Sequence, residues 1–445
     1  MWEDIPLMSV DVKKSKASVK RIKDMAISVR WEKSMNEKLR QDAETIAMAA
    51  INHVNPSRAV KGALEGLMFP GRIYLVAVGK AAWEMAKAAK ECLKQEIYDG
   101  IVVTKYGHVK AEMEGITCLE AGHPVPDENS LLATEKVLEM TRGLKAEDTV
   151  IFLLSGGGSA LFESPYVEAE ELQKITEQLL HSGADIVEMN TIRKRLSRVK
   201  GGRFAKWCEP AQIKAIILSD ILGDPLDMIA SGPATADHST CQEALRIAKK
   251  YDLQLSEAAR KCLQEETPKK LTNVETQIIG SVRELCKAAQ EKCTELGYEP
   301  HFLTDQLNCE AKEAGRFLAA IAKSHLDKKK IAFIAGGETV VHVSGTGLGG
   351  RNQEFVFAAA REIAGKSRIA MISVGSDGTD GPTDAAGGYV DGDSYGQLQT
   401  IGIDYDYVLN NNDAYHGLSA INGLIFTGPT GTNVNDVAIV LIDEE

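Results

Sequence analysis

The chain has 445 residues, a formal net charge of −12 and 44% hydrophobic residues. That length exceeds one ordinary domain, and the composition supports a full core in each of two. The acidic balance argues against general nucleic-acid binding, where a basic surface supplies the affinity, and no apolar run approaches the roughly 20 residues a membrane-spanning helix needs.

Residues 1–35 form a locally basic arm that includes Lys13, Lys14, Lys20 and Arg21. Glu3, Asp4, Asp11 and Asp24 are out of place in a mitochondrial transit peptide, and the apolar core of a secretory signal is missing. The arm is expected to be partly ordered in a cytoplasmic protein, with mitochondrial import as the minority alternative. The eight cysteines show neither C-x-x-C nor zinc-ligand spacing and read as reduced packing thiols.

Met35 to Val54 has helical spacing, and Asn55-Pro56 ends it. Ile73 to Val78 reads as a buried strand and runs into Gly79-Lys80-Ala81-Ala82, which opens a helix through Cys92. Lys80 therefore sits at a strand-to-helix turn, where open α/β sheets bind their ligands; a plain surface lysine is the alternative. Ile101–Thr104 and Thr117–Glu120 are further strands. In the stiff loop Gly122–Asp127, His123 either touches a ligand or holds its own loop.

The stretch Val150–Leu161 reads as a buried strand, a serine-flanked triple glycine and a helix start. Such a loop can aim several backbone N–H groups and the positive end of a helix at one anion. Ser155, Gly156, Gly157, Gly158 and Ser159 are thus a candidate phosphate or carboxylate cradle, with a glycine-rich turn as the alternative. Asn190 to Gly202 is predicted as a short, very basic helix on which Arg193, Ser197 and Lys200 share a face. Pointed at the strand ends, that face is an anion clamp; pointed outward, it is a solvated charged surface. Ile213–Leu218 is the fifth strand and runs into Ser219-Asp220. Asp220 is preferred for magnesium binding or substrate activation, because Asp224-Pro225 suits a turn.

Polar residues Glu266–Lys270 place a boundary at 270/271, giving domains 36–270 and 271–445. A second α/β pattern begins at Gln277. Ile331–Ala335, Val340–Val343, Met371–Val374 and a last strand to Ile442 alternate with glycine-rich polar loops, the third of which carries Asp377. Arg351 opens a helix. The expected fold class is α/β. It comprises a Rossmann-like parallel sheet sandwiched by helices and a smaller α/β domain, with the active site in the cleft between them.

Lys80 and Arg351 supply positive charge for a transferring phosphoryl group; Asp220 and Asp377 supply magnesium ligands. There is no Walker-type loop, and Leu161 stands where a dinucleotide fingerprint needs its last glycine. Phosphoryl transfer is therefore favoured over nicotinamide redox chemistry.

In combination the motifs resemble the two-domain glycerate kinases. The resemblance is carried by Val78-Gly79-Lys80-Ala81-Ala82, Gly122–Asp127, Leu154–Leu161, Asn190 with Arg193-Lys194 and Lys200-Gly201-Gly202, Ser219-Asp220-Ile221 with Ser231-Gly232-Pro233, Gly336–Thr339, Gly349–Glu354, Ser376–Gly381 and Asn412-Asp413-Ala414, across residues 36–445. Arg195 stands where that family commonly has histidine.

The resemblance implies ATP-dependent phosphorylation of D-glycerate with Mg2+, in serine- or fructose-linked carbon metabolism. The family mostly forms 2-phosphoglycerate, and some members are described as forming the 3-phosphate. Lys80 and Arg351 match the family's cleft lysine and arginine. The partner is a small-molecule substrate rather than nucleic acid or membrane, and a homodimer is compatible.

On this reading Ser155–Ser159 hold the nucleotide phosphates or the glycerate carboxylate, with Arg193 and Lys200 adding charge. Asp220 and Asp377 hold magnesium, Asp377 or Asp220 orients the attacking hydroxyl, and domain closure excludes water. The rivals are a hydroxypyruvate reductase using a nicotinamide cofactor and a non-catalytic metabolite-binding protein.

Overall fold

The computed structural model describes residues 37–93, 95–327 and 329–444. The basic arm and its targeting lie outside the described residues.

Strands β1 (Ile73–Val78), β2 (Ile97–Lys105), β3 (Thr117–Ala121), β4 (Thr149–Leu154), β5 (Gln212–Leu218) and β6 (Val274–Gly280) form one sheet in the order β3-β2-β1-β4-β5-β6. Every pairing is parallel. Every residue of β1 and β4 is buried, as expected for a parallel sheet covered on both faces. The two faces pack differently. Val76, Phe152 and Leu154 join Phe162 and Phe204 in one core. Leu75, Ala77, Ile151 and Leu153 point the other way into a second. Between β4 and β6 the chain inserts four helices, Ala169–His181, Ile186–Leu196, Cys241–Lys250 and Glu257–Gln264, which enclose a small core of their own.

The second sheet contains β7 (Glu299–Leu307), β8 (Ile331–Gly337), β9 (Ile369–Gly375), β10 (Gly387–Asp391), β11 (Leu424–Ile425) and β12 (Asp436–Ile442), in the order β11-β10-β9-β12-β8-β7. It is mixed: β12 runs antiparallel to both β8 and β9, and β7 is parallel to β8. Both sheets match the expected α/β class.

Three details differ from the sequence reading. First, β6 pairs with β5 in the first sheet although it lies beyond the 270/271 boundary. Second, the Glu37–His53 helix, placed by sequence order in the first domain, packs on the Val282–Glu295 helix and on β9 and β12 of the second sheet. Ile46 and Ile51 thereby join a core running from Leu75 and Ile151 to Ile334, Ile372 and Ile439. Third, Val340–Val343 is not a strand. Val340 makes one bridge to Glu310, and β12 already occupies the sheet edge of β8 that β7 leaves open.

Candidate active site

The strand order reverses between β1 and β4, and a doubly wound sheet binds its ligands outside the carboxyl ends at that switch point. The turns after these two strands are Gly79-Lys80-Ala81 and Ser155–Ser159, and they are stitched together. Lys80 N–H donates to the Gly156 carbonyl at 2.9 Å, and Ala81 N–H donates to Ser155 Oγ at 3.1 Å. Ser155 is buried, so its hydroxyl works as a fastener between turns rather than as a ligand.

Each glycine of the loop meets a different neighbour. A Cβ on Gly156 would lie 2.1 Å from Asp220 Oδ2, one on Gly157 would lie 2.9 Å from the His123 ring, and one on Gly158 would lie 2.6 Å from the Ala230 Cβ. Gly157 also has φ of +90°, where only glycine is unstrained. The triple glycine is what lets Asp220 and His123 close on the loop.

The helix after the loop is a single turn, Gly158–Leu161, so the expected helix-dipole contribution is small. The loop's own backbone, the other expected source, supplies the donors. The N–H groups of Gly156, Gly157, Gly158 and Ser159 meet no acceptor among the described residues. Successive unspent N–H groups of this kind form an anion-binding nest.

The basic segment is neither clamp face nor solvated face. Lys200 is fully buried beneath the loop: its Nζ donates to the carbonyls of Ser159 at 2.9 Å and Phe162 at 2.8 Å and pairs with Glu163 at 3.0 Å. Two hydrogen bonds and one ion pair commit this buried ammonium, so the expectation that Lys200 contacts the anion is corrected. Burial pulls its amine down to about 8, against the opposing pull of Glu163. Arg193 Nη2 donates to the same Ser159 carbonyl at 3.1 Å, while Lys194 and Arg195 are spent on Asp227, Asp237 and Glu266. The segment is a buried scaffold that pins the exit of the glycine loop.

In front of the loop lies a cavity of about 420 Å³ lined by Lys80, Lys105, Ser155, Gly156, Asp220 and Asp377, among others. Neither the Lys80 nor the Lys105 ammonium has a hydrogen-bond or ion-pair partner among the described residues. Asp220 follows β5, and burial raises its pKa while Lys80 opposes that rise. Asp377 follows β9 in a tight turn, its Oδ1 accepting from Thr379 N–H at 3.0 Å. His123 is held neutral to lower pH by burial, then by the charges of Lys80 and Lys105. Three of the four residues expected to carry the chemistry thus share one cavity.

Arg351 does not line it. Its guanidinium grips Asp436 through Nε at 2.5 Å and Nη2 at 3.0 Å, and Nη1 reaches Glu338 at 3.0 Å. It borders a neighbouring cavity of about 580 Å³. The two cavities adjoin, for Leu222 lines the second two residues after Asp220 lines the first, and Asn435, next to Asp436, donates to the Asp220 carbonyl at 3.3 Å.

Sequence reasoning missed Lys105, Glu338 and Asp436. The strand-end rule that selects Lys80 applies equally to Lys105, the last residue of β2. Asp436 begins an antiparallel strand, so its position at the cleft appears only once β12 is known to run against β8 and β9.

An open doubly wound sheet, an unspent anion nest at its switch point and a second sheet domain across the cavity define a two-domain enzyme that handles an anionic small molecule. Residues 42–264 match the family "Domain of unknown function (DUF4147)", and residues 331–436 match the "MOFRL family". The D-glycerate 2-kinase of Thermotoga maritima is 51% identical over 413 residues, covering 91% of this chain and 99% of that protein. The glycerate 2-kinase of Pyrococcus horikoshii is 40% identical over 422 residues, covering 88% and 95% respectively. The crystal structure of a glycerate kinase from Thermotoga maritima superposes with a TM-score of 0.88 at 52% identity, covering 91% of this chain and all of that one (100%). The chain belongs to the two-domain glycerate kinase family.

Proposed function

We propose that the chain is a glycerate kinase that transfers the terminal phosphoryl group of ATP to the 2-hydroxyl of D-glycerate. The observation that carries the site assignment is the unpartnered Lys80 ammonium in a cavity lined by Gly156, the first residue of a loop whose N–H groups, Gly156 to Ser159, are unspent. Phosphoryl transfer asks a protein for positioning and for donors aimed at the equatorial oxygens, and this cavity presents both.

Lys80 and the loop amides bind the phosphoryl group. Asp220 accepts the proton of the attacking hydroxyl, because the burial that raises its pKa makes it a better base than an exposed carboxylate. Arg351 is anchored by Asp436, while its Nη1 is tied only to the half-exposed Glu338. That arm can exchange its carboxylate for a phosphate oxygen. Lys105 faces the same cavity and offers a partner for the substrate carboxylate.

The donor set suits magnesium. Mg2+ is usually held by one or two carboxylates plus substrate phosphates rather than by a protein cage. Asp377 lines the cavity beside Asp220 and would hold the ion, leaving Asp220 to the hydroxyl proton; no group of three or more His, Cys, Asp or Glu poised to hold a metal occurs among the described residues. When bound, the ion would neutralise phosphate charge.

Incubation with D-glycerate and ATP should release ADP and give a 2-phosphoglycerate signal in 31P NMR. A 3-phosphoglycerate signal would move the acceptor to the other hydroxyl. Reduction of a nicotinamide cofactor in place of ADP release would overturn the kinase reading.

A further inference from the structure

The second cavity, of about 580 Å³, differs chemically from the first. Its charged lining residues are Glu338, Arg351 and Glu354. Arg351 is already bound by Asp436 and Glu338, and no lysine lines the cavity. Its electrostatic balance is therefore negative, which disfavours a phosphate or a free carboxylate. Part of its wall is apolar: Leu222, Val340, Val341 and Val343 all border it. Val340 and Val343 are 45% and 75% exposed, so these branched side chains lie open to the cavity instead of packing against protein.

At the back lies Glu354, 3% exposed. One of its oxygens accepts from Asn412 Nδ2 at 3.0 Å; the other meets no donor among the described residues. Glu354 borders the cavity, so this unspent carboxylate oxygen can accept from a donor placed there. The cavity thus asks for a ligand with a flat apolar body and N–H or O–H groups at its edge. It adjoins the Lys80 cavity at the Asp220–Leu222 segment, where Arg351 stands.

We infer that this cavity binds the nucleoside of the phosphate donor: the base lies against Val340 and Val343, and an amino or hydroxyl group donates to Glu354. The triphosphate then passes Arg351 and brings its terminal phosphoryl group to Lys80 and the glycine loop. The acceptor takes the remainder of the Lys80 cavity. The inference rests on the kinase reading and adds a division of labour: the second domain selects the donor, and the first domain holds the reacting groups. An apolar wall with a few convergent polar groups is the usual construction of such a pocket.

Titration calorimetry on the full chain tests this with three probes: ATP, adenosine and inorganic tripolyphosphate. The variant is Val340→Asp, an exposed position where a carboxylate repels the base without disturbing the core. The expected result is a tenfold or greater rise in the Kd of ATP, loss of detectable adenosine binding, and a tripolyphosphate Kd within twofold of the wild type. Steady-state kinetics should show a raised KM for ATP and a KM for D-glycerate within twofold. An unchanged ATP Kd in the variant, or a rise confined to the KM for D-glycerate, would overturn the inference and leave the kinase reading standing. Failure of the wild-type chain to bind or use ATP at all would overturn both.

Discussion

At the scale of single residues, the site divides into side chains left free and side chains fully committed. Lys80 is free, and Lys80→Ala should lower kcat by orders of magnitude with the unfolding transition unchanged; near-normal turnover would remove it from the mechanism. Lys200 is committed. Lys200→Met strands Glu163, itself 0% exposed, and uncompensated buried charges of this kind cost roughly 3–5 kcal/mol. Urea denaturation should show that loss, and adding Glu163→Gln should recover much of it. Asp380 predicts a pH dependence. It accepts from the backbone N–H groups of Asn352 and Gln353, but burial dominates and raises its pKa to about 6. A carboxyl that holds its proton more tightly when folded contributes stability that is complete below about pH 4 and lost as pH rises through about 6. The Asp380→Asn variant should therefore gain about 3 kcal/mol relative to the wild type between pH 4 and pH 7, read from paired urea curves. Lys80, Asp220 and Asp377 were legible in the sequence because each follows a strand and strand ends face the site. The commitments of Lys200 and Arg351 were not, since Glu163 and Asp436 become their partners only through tertiary packing.

At the scale of elements, the glycine loop was legible as a loop that leaves a buried strand, and only part of the expected donor set is present. Backbone N–H groups and a helix end were both expected; the structure has the row of unspent N–H groups but only one helical turn behind it. Hydrophobic pattern shows where a strand ends, not how many turns follow. The Val340–Val343 segment failed for a related reason: residues of high strand propensity do not form a strand beside β8 when β12 and β7 already pair with both of its edges. The glycines can be separated experimentally. Gly156→Ala drives a methyl group against the Asp220 carboxylate, 2.1 Å from Oδ2, so it should cost activity through a displaced Asp220. Gly62 lies within the Pro56–Leu64 helix, and a methyl there meets nothing within 4 Å. Gly62→Ala should stabilise the chain by up to about 1 kcal/mol with activity intact. Equal loss of turnover in both variants would contradict this assignment.

At the scale of the molecule, the fold class and the two sheets were legible from the alternation of apolar runs and glycine-rich turns, but the partition of the chain was not. Polarity at Glu266–Lys270 looks like a linker, yet β6 returns to the first sheet and the Glu37–His53 helix crosses to the second. A composition shift marks exposed chain and says nothing about which sheet the next strand joins. Because one core is shared between the sheets, fragments 1–270 and 271–445 should each fail to give a soluble, cooperatively unfolding protein, while the intact chain melts in one main transition. A monomeric 271–445 fragment with a sharp calorimetric melt would refute this.

The crossed chain also fixes how the halves can swing. The backbone passes between them at Val54-Asn55 and again at Gly280-Ser281. These crossings are neighbours: a Cβ on Gly280 would lie 3.6 Å from that of Val54. Two pivots side by side allow turning about the line that joins them and resist shear across it. Ser219 N–H is bonded to the Gly280 carbonyl at 2.8 Å, so Asp220 rides next to the axle. Any opening stroke sweeps the outer rims of the cleft through an arc and leaves the proposed base almost stationary.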